Sequence, residues 1–204
     1  MRTPKTTTQT LNDRTFASQP GLVIPSWAKV RLLQPEFFPS AEWKLQNPEL
    51  WRIYQRFLIH IEEHLYNGDS RAAVVVKVDP YIVAAYTDEL DCVALLRLPD
   101  DMSRKLKLVP GTRLLTVNTY RWLAEGLASD LITGPENLKR YGNFWPYIAE
   151  FYSDDRERIV TRKATISEEE FRRAENMGHQ ALLRGVVPRD GRPLSCSRPA
   201  MPQS

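Results

Sequence analysis

The chain is poor in the residues from which most small catalytic frameworks are built. Only two of its 204 residues are cysteine, Cys92 and Cys196. That excludes a disulfide-stapled secreted scaffold and a C-x-x-C redox motif. Nine glycines are spread along the chain without a phosphate-cradling loop of the P-loop or dinucleotide type. No G-x-S-x-G nucleophile turn occurs. Histidine is scarce as well, with three in all. No apolar run approaches the roughly 20 residues that span a bilayer, and Met1–Thr10 lacks the apolar core of a secretory signal. These absences predict a cytoplasmic protein with no membrane association.

Charge is balanced overall, at +3, and unevenly placed. Residues 1–19 carry Arg2, Lys5 and Arg14 against Asp13, a balance of +2. Residues 184–204 carry Arg184, Arg189, Arg192 and Arg198 against Asp190, a balance of +3, which leaves 20–183 at −2. The basic excess thus belongs to the ends, whereas a nucleic-acid-binding domain concentrates it on a face of the fold.

What the chain does have is apolar residues in runs. Arg71-Ala-Ala-Val-Val-Val-Lys-Val78, Tyr81-Ile-Val-Ala-Ala-Tyr86 and Cys92-Val-Ala-Leu-Leu-Arg-Leu98 are separated by Asp79-Pro80 and Asp88-Glu-Leu-Asp91. They predict strands over 71–78, 81–87 and 91–98, the last two as a hairpin, and Thr112–Thr119 predicts a fourth. Runs this continuous, without polar alternation, imply strands covered on both faces. Asp79-Pro80 is compatible with a tight turn or with a bulge in one long strand.

A helix is predicted from about 48 to 66, with Asn47 as N-cap, Pro48 at its first position and Gly68 as its stop. Leu50, Ile53, Tyr54, Phe57, Leu58, Ile61 and Leu65 fall on one stripe of it. The second half reads as helical: a short helix over 120–130, a further turn of helix opened by Pro135 and ending near Gly142, a helix from Asn143 to about 152, a strand over 158–165, and a helix over 168–184 opened by the capping pattern at Ser167. Residues 20–47, dense in proline, read as an irregular arm with one short strand at 28–33. The expectation is an α+β fold: a small, mostly antiparallel sheet of about four strands packed between an N-terminal helix and a C-terminal helical set. Residues 1–19 form a flexible tail, 20–184 a single domain with the 20–47 arm packed on it, and 185–204 a flexible basic tail.

The sharpest local pattern is His60-Ile-Glu-Glu63-His64. It matches H-x-x-E-H, the zinc signature of the inverted-zincin metallopeptidases, over these five residues and no further. Two histidines one helical turn apart, His60 and His64, can share a zinc ion, with Glu63 as general base. On the helical wheel, however, both histidines flank the apolar stripe and Glu63 points toward solvent, the placement of side chains that cover the edge of a core. Asp79, Asp88, Glu89, Asp91, Asp100 and Asp101 gather at strand ends, where a divalent cation or ordinary turn geometry accounts for them.

Aromatic residues crowd 141–152. Helical spacing assigns Phe144, Tyr147, Ile148 and Phe151 to the core and leaves Tyr141, Trp145 and Tyr152 as a candidate binding surface. With no catalytic signature beyond the H-x-x-E-H pattern, the leading expectation is a non-catalytic binding or assembly module, acting on a protein partner or on further copies of itself, with no cofactor. The alternatives are a zinc hydrolase using His60, His64 and Glu63, and a weak nucleic-acid association through the basic tails.

Overall fold

The structure, a computed structural model, describes residues 17, 19–122, 126–137 and 141–193. Three short helical pieces open it: α1 (Trp27–Leu33), a 3-10 turn at Pro35–Phe37 and α2 (Ala41–Gln46). The long helix α3 (Pro48–Asn67) follows. Then come β1 (Asp69–Lys77), β2 (Ile82–Thr87), β3 (Cys92–Arg97), α4 (Asp100–Lys105), β4 (Arg113–Trp122), β5 (Ile132–Thr133) and β6 (Tyr141–Ile148). The chain closes with α5 (Ala149–Tyr152), α6 (Arg156–Ala164), α7 (Glu168–Leu183) and β7 (Arg189–Asp190). The α+β class is as expected.

Among the described residues the sheet holds seven strands rather than about four, in the order β5-β3-β2-β1-β4-β6, with β7 added parallel to β3. Its centre is where the apolar runs place it. β1, β2, β3 and β4 pair antiparallel, and β2 and β3 form the hairpin expected around Asp88–Asp91. Asp79-Pro80 is a turn with a cis peptide bond, and the ladder between β1 and β2 shifts register between Val75 and Lys77.

Alternation along the strands explains why their sequences are apolar on both sides. Ala73, Ala85 and Ala94 stand in register on one face, with Leu114 beyond them. Such small side chains let the sheet curl tightly. The curl brings Arg189, on β7 beside β3, within hydrogen-bonding distance of the Phe144 carbonyl on β6, at 3.0 Å. This inner face is therefore covered by the sheet itself. The outer face carries Val74, Ala84 and Leu95, and α7 crosses it; a β-carbon on Gly178 would stand 2.4 Å from that of Ala84. Further along the same face, Val117 pairs with Tyr147, on which His64 of α3 stacks. Helices α3 and α7 thus share one face of a curled sheet, where a sheet packed between an N-terminal helix and a C-terminal helical set was expected.

Several segments differ from their sequence expectation. Residues 28–33 are helical, within α1. The span 143–148 is strand, and Pro146 is tolerated in it because β6 lies at the sheet edge. Residues 158–164 belong to α6, whose N-cap Asp155 accepts from the Arg158 N–H. Residues 186–193 belong to the fold and not to a tail: Arg189 is fully buried and Gly191 donates to the Arg97 carbonyl. The expected helix at 120–130 is strand as far as Trp122, and its next three residues lie outside the described chain. So do residues 1–16 and 194–204, the larger parts of the two expected tails.

Candidate functional site

The C-terminal half of α3 is fixed by the sheet. Ile61 and Leu65 are buried, and the Gly21, Leu22 and Val23 N–H groups donate to the Gly68, Tyr66 and Leu65 carbonyls. This anchoring brings both predicted histidines inside. His64 lies flat on Tyr147, ring centroids 3.8 Å apart, and Tyr147 stacks in turn on Tyr152 at 4.7 Å. The His64 Nε2–H donates to the Val117 carbonyl at 2.8 Å, and its Nδ1 lies 3.3 Å from the Thr119 hydroxyl. Burial pushes the His64 pKa down to about 3, helped by neighbouring His60, so the ring is neutral near pH 7.

His60 stands edge-on to Trp145, centroids 5.7 Å apart, and is buried with neither ring nitrogen partnered among the described residues. Burial lowers its pKa as well. Glu63 is partly exposed, turned about 60° from His60 and about 100° from His64 around the helix. The H-x-x-E-H spacing therefore brings His60 and His64 together, ring centroids 6.2 Å apart, but does not bring Glu63 to them. A zinc ion needs a free ring lone pair on each histidine, and both His64 nitrogens are engaged. Among the described residues no three His, Cys, Asp or Glu side chains converge as a metal site requires.

The candidate binding surface also separates. Tyr141 and Tyr152 are buried: Tyr141 stacks on Tyr120 at 5.0 Å, and the Tyr152 hydroxyl donates to the Gly191 carbonyl at 3.3 Å. Trp145 is half-buried against His60. The strand β6 places Tyr141 and Trp145, and the short helix α5 that follows it places Tyr152.

Other buried acids and arginines are engaged with one another. Asp69 accepts from the Gln19 N–H at 2.9 Å, from Arg71 at 2.8 Å and from the Tyr120 hydroxyl at 3.3 Å, while burial pushes its pKa up to about 6. Arg71 also pairs with Asp88. Asp91 accepts from the Tyr86 hydroxyl, the Glu136 N–H and Arg173. Two of the acidic turn residues, Asp88 and Asp91, are thus held by arginines. Cys92 is buried in β3, where its thiol is pushed up and stays protonated. Of the arginines counted toward a basic C-terminus, Arg189 is buried against Asp130 and Arg192 pairs with Asp190. Grooves of about 440–480 Å³ run along α7 and beside β7, and each holds an ion pair of its own: Arg113–Glu168, Arg173–Glu136 or Arg192–Asp190.

The N-terminal half of α3 is different. It reaches beyond the sheet and carries α2 on one flank. Trp43 of α2 stacks on Tyr54 at 5.4 Å, Phe37 of the 3-10 turn stacks on Phe57 at 5.4 Å, and Lys44 sits over Trp51 at 4.2 Å. These contacts cover one side of the apolar stripe. Leu50 and Ile53, on the same stripe, remain 46% and 43% exposed, and Leu45 of α2 is 84% exposed. Sequence periodicity identifies which face of α3 is apolar. It carries no information on how far the body extends beneath that face, which is why Leu50 and Ile53 were expected in the core.

Among the described residues no helix is long and apolar enough to cross a membrane. Comparisons with protein-family models, with curated proteins and with solved structures returned no match for the chain.

Proposed function

We propose that the protein is a non-catalytic binding and assembly module, and that it engages its partner through the N-terminal half of α3. One observation carries this reading. A single apolar stripe is used as core over Ile61–Leu65 and stays open at Leu50 and Ile53. A helix turn that served only the fold would be polar there, because exposed apolar side chains gain nothing from solvent. Grouped apolar exposure beside aromatic side chains is the composition of a docking face. The rest of the molecule supports the same reading, since its buried acids, histidines and thiol are spent on packing and internal hydrogen bonds.

A photo-reactive residue placed at Leu50 or at Ile53 in the full chain tests it. In cells that express the protein natively, illumination is expected to give one discrete cross-linked species. A second photo-reactive chain carrying Ile59, exposed on the opposite side of α3, as its labelled position serves as the control and should give none. A diffuse smear from every position, or no product at 50 and 53, would overturn the proposal.

A further inference from the structure

The open face of α3 has a charge pattern that is complementary to itself. At about 100° per residue, Ile53 forms the middle of the exposed seam. Leu50 and Phe57 lie on one side of it, and Glu49 and Arg56 lie on the other. Among the described residues Glu49 is bound only within its own helix, to Arg52 at 2.7 Å, and both of those groups are solvent-exposed. Arg56 makes no ion pair among the described residues.

When two such helices meet antiparallel, like flanks face one another. With a two-fold axis beside Ile53, Glu49 of one copy falls opposite residue 57 of the other, within one residue of Arg56. That is an axial offset of about 1.5 Å, well inside the reach of both side chains. On the other flank Leu50 falls within one residue of Phe57, which Phe37 covers in part, so the apolar contact is made chiefly by Ile53 against Ile53 at the axis. A single axis therefore satisfies the apolar and the ionic contacts together. An isologous contact requires this of a surface, and an arbitrary partner does not.

We propose that the occupant of this face is a second copy of the chain, with its α3 lying antiparallel across the first and reciprocal Glu49–Arg56 pairs closing one edge. This rests on the docking reading above and names its partner. The seam from residue 49 to 57 covers about 12 Å of helix axis, short for a permanent interface, so the dimer is concentration-dependent.

The test uses light scattering on the full chain over a concentration series. The wild-type mass should rise from monomer toward dimer. Glu49→Arg and Arg56→Glu each place like charges together at both pairs, and each should stay monomeric; Arg56→Glu should leave the melting temperature of the monomer nearly unchanged, and Glu49→Arg, which also loses the Arg52 pair in the first turn of α3, should lower it by no more than about 4 °C. An equimolar mixture of the two variants should dimerise, because the mixed pair restores both attractions. A wild-type chain that stays monomeric throughout, single variants that dimerise like wild type, or a mixture that stays monomeric would each overturn self-pairing. The photo-cross-link separates this from the broader reading. A discrete product at twice the chain mass supports both. A discrete product of another mass, or one within a single chain, overturns self-pairing, and the first of these leaves docking standing.

Discussion

His60 is buried with two nitrogens that find no partner among the described residues, and this is costly. Its ring earns its place through shape, standing edge-on to Trp145. Phenylalanine would keep that contact and lose the polar penalty. His60→Phe is therefore expected to stabilise the protein by about 1 kcal/mol at pH 8. The pH dependence has a definite sign. The folded pKa of His60 lies below its ordinary 6.5, so below that pH the unfolded chain takes up a proton that the folded chain refuses. Stability is present above 6.5 and falls as the pH drops, at up to about 1.4 kcal/mol per pH unit. The advantage of the variant should widen between pH 7 and pH 5. Asp69, Glu150 and Glu170, all raised by burial, oppose this trend, but they are common to both proteins and cancel in the difference. Urea midpoints at the two pH values measure it, and an advantage that shrinks on acidification would refute the assignment. The helical wheel put His60 and His64 at the edge of a core. They lie inside one because β6, which covers that flank, reads in sequence as a helix.

At the scale of elements, the segments with strong local signals appear where the sequence puts them. α3 keeps Pro48 and Gly68 at its ends, α7 keeps Ser167 as its cap, and the strands with continuous apolar runs form the sheet centre. Weak signals were decided by tertiary contact. Asn143–Pro146 resembles a helix start, yet pairing with Arg121–Asn118 on β4 makes it strand. Helix α7 illustrates a positional requirement that periodicity cannot state. Gly178 lies among the buried positions of α7 with Phe171, Ala174, Met177 and Ala181, and it is the point at which the helix meets the sheet. A β-carbon there would lie 2.4 Å from Ala84 Cβ and 2.9 Å from Val76 Cγ1. Helix propensity alone predicts that Gly178→Ala stabilises, by up to about 1 kcal/mol. Packing predicts a loss of about 1–3 kcal/mol, because the helix must lift from two strands. The sign of the change in urea midpoint decides between them, and a loss is expected.

At the scale of the whole molecule, the curl of the sheet is the feature least legible in sequence. The register of Ala73, Ala85 and Ala94 that permits it exists only once the strands are paired. The same closure recruits residues that local composition assigns to a tail. Pro188, Arg189 and Arg192 look like a basic, proline-punctuated end, but the contact that holds Arg189 lies 59 residues away, at Asp130. Its guanidinium donates to both Asp130 oxygens at 2.7 and 2.8 Å, to the Asn143 side chain at 2.9 Å and to the Phe144 carbonyl. It thereby ties β7, the segment before β5, and β6 together. A buried pair of this kind is weak evidence of net stabilisation, but removing one partner strands the other. Arg189→Met should cost about 3–5 kcal/mol, read from the midpoint of denaturant unfolding. Adding Asp130→Asn to it should recover part of the loss, because no uncompensated carboxylate then remains beneath the sheet edge. If Arg189→Met instead unfolds within about 0.5 kcal/mol of wild type, as an exposed substitution does, the C-terminal segment does not close the curl and the fold ends at α7.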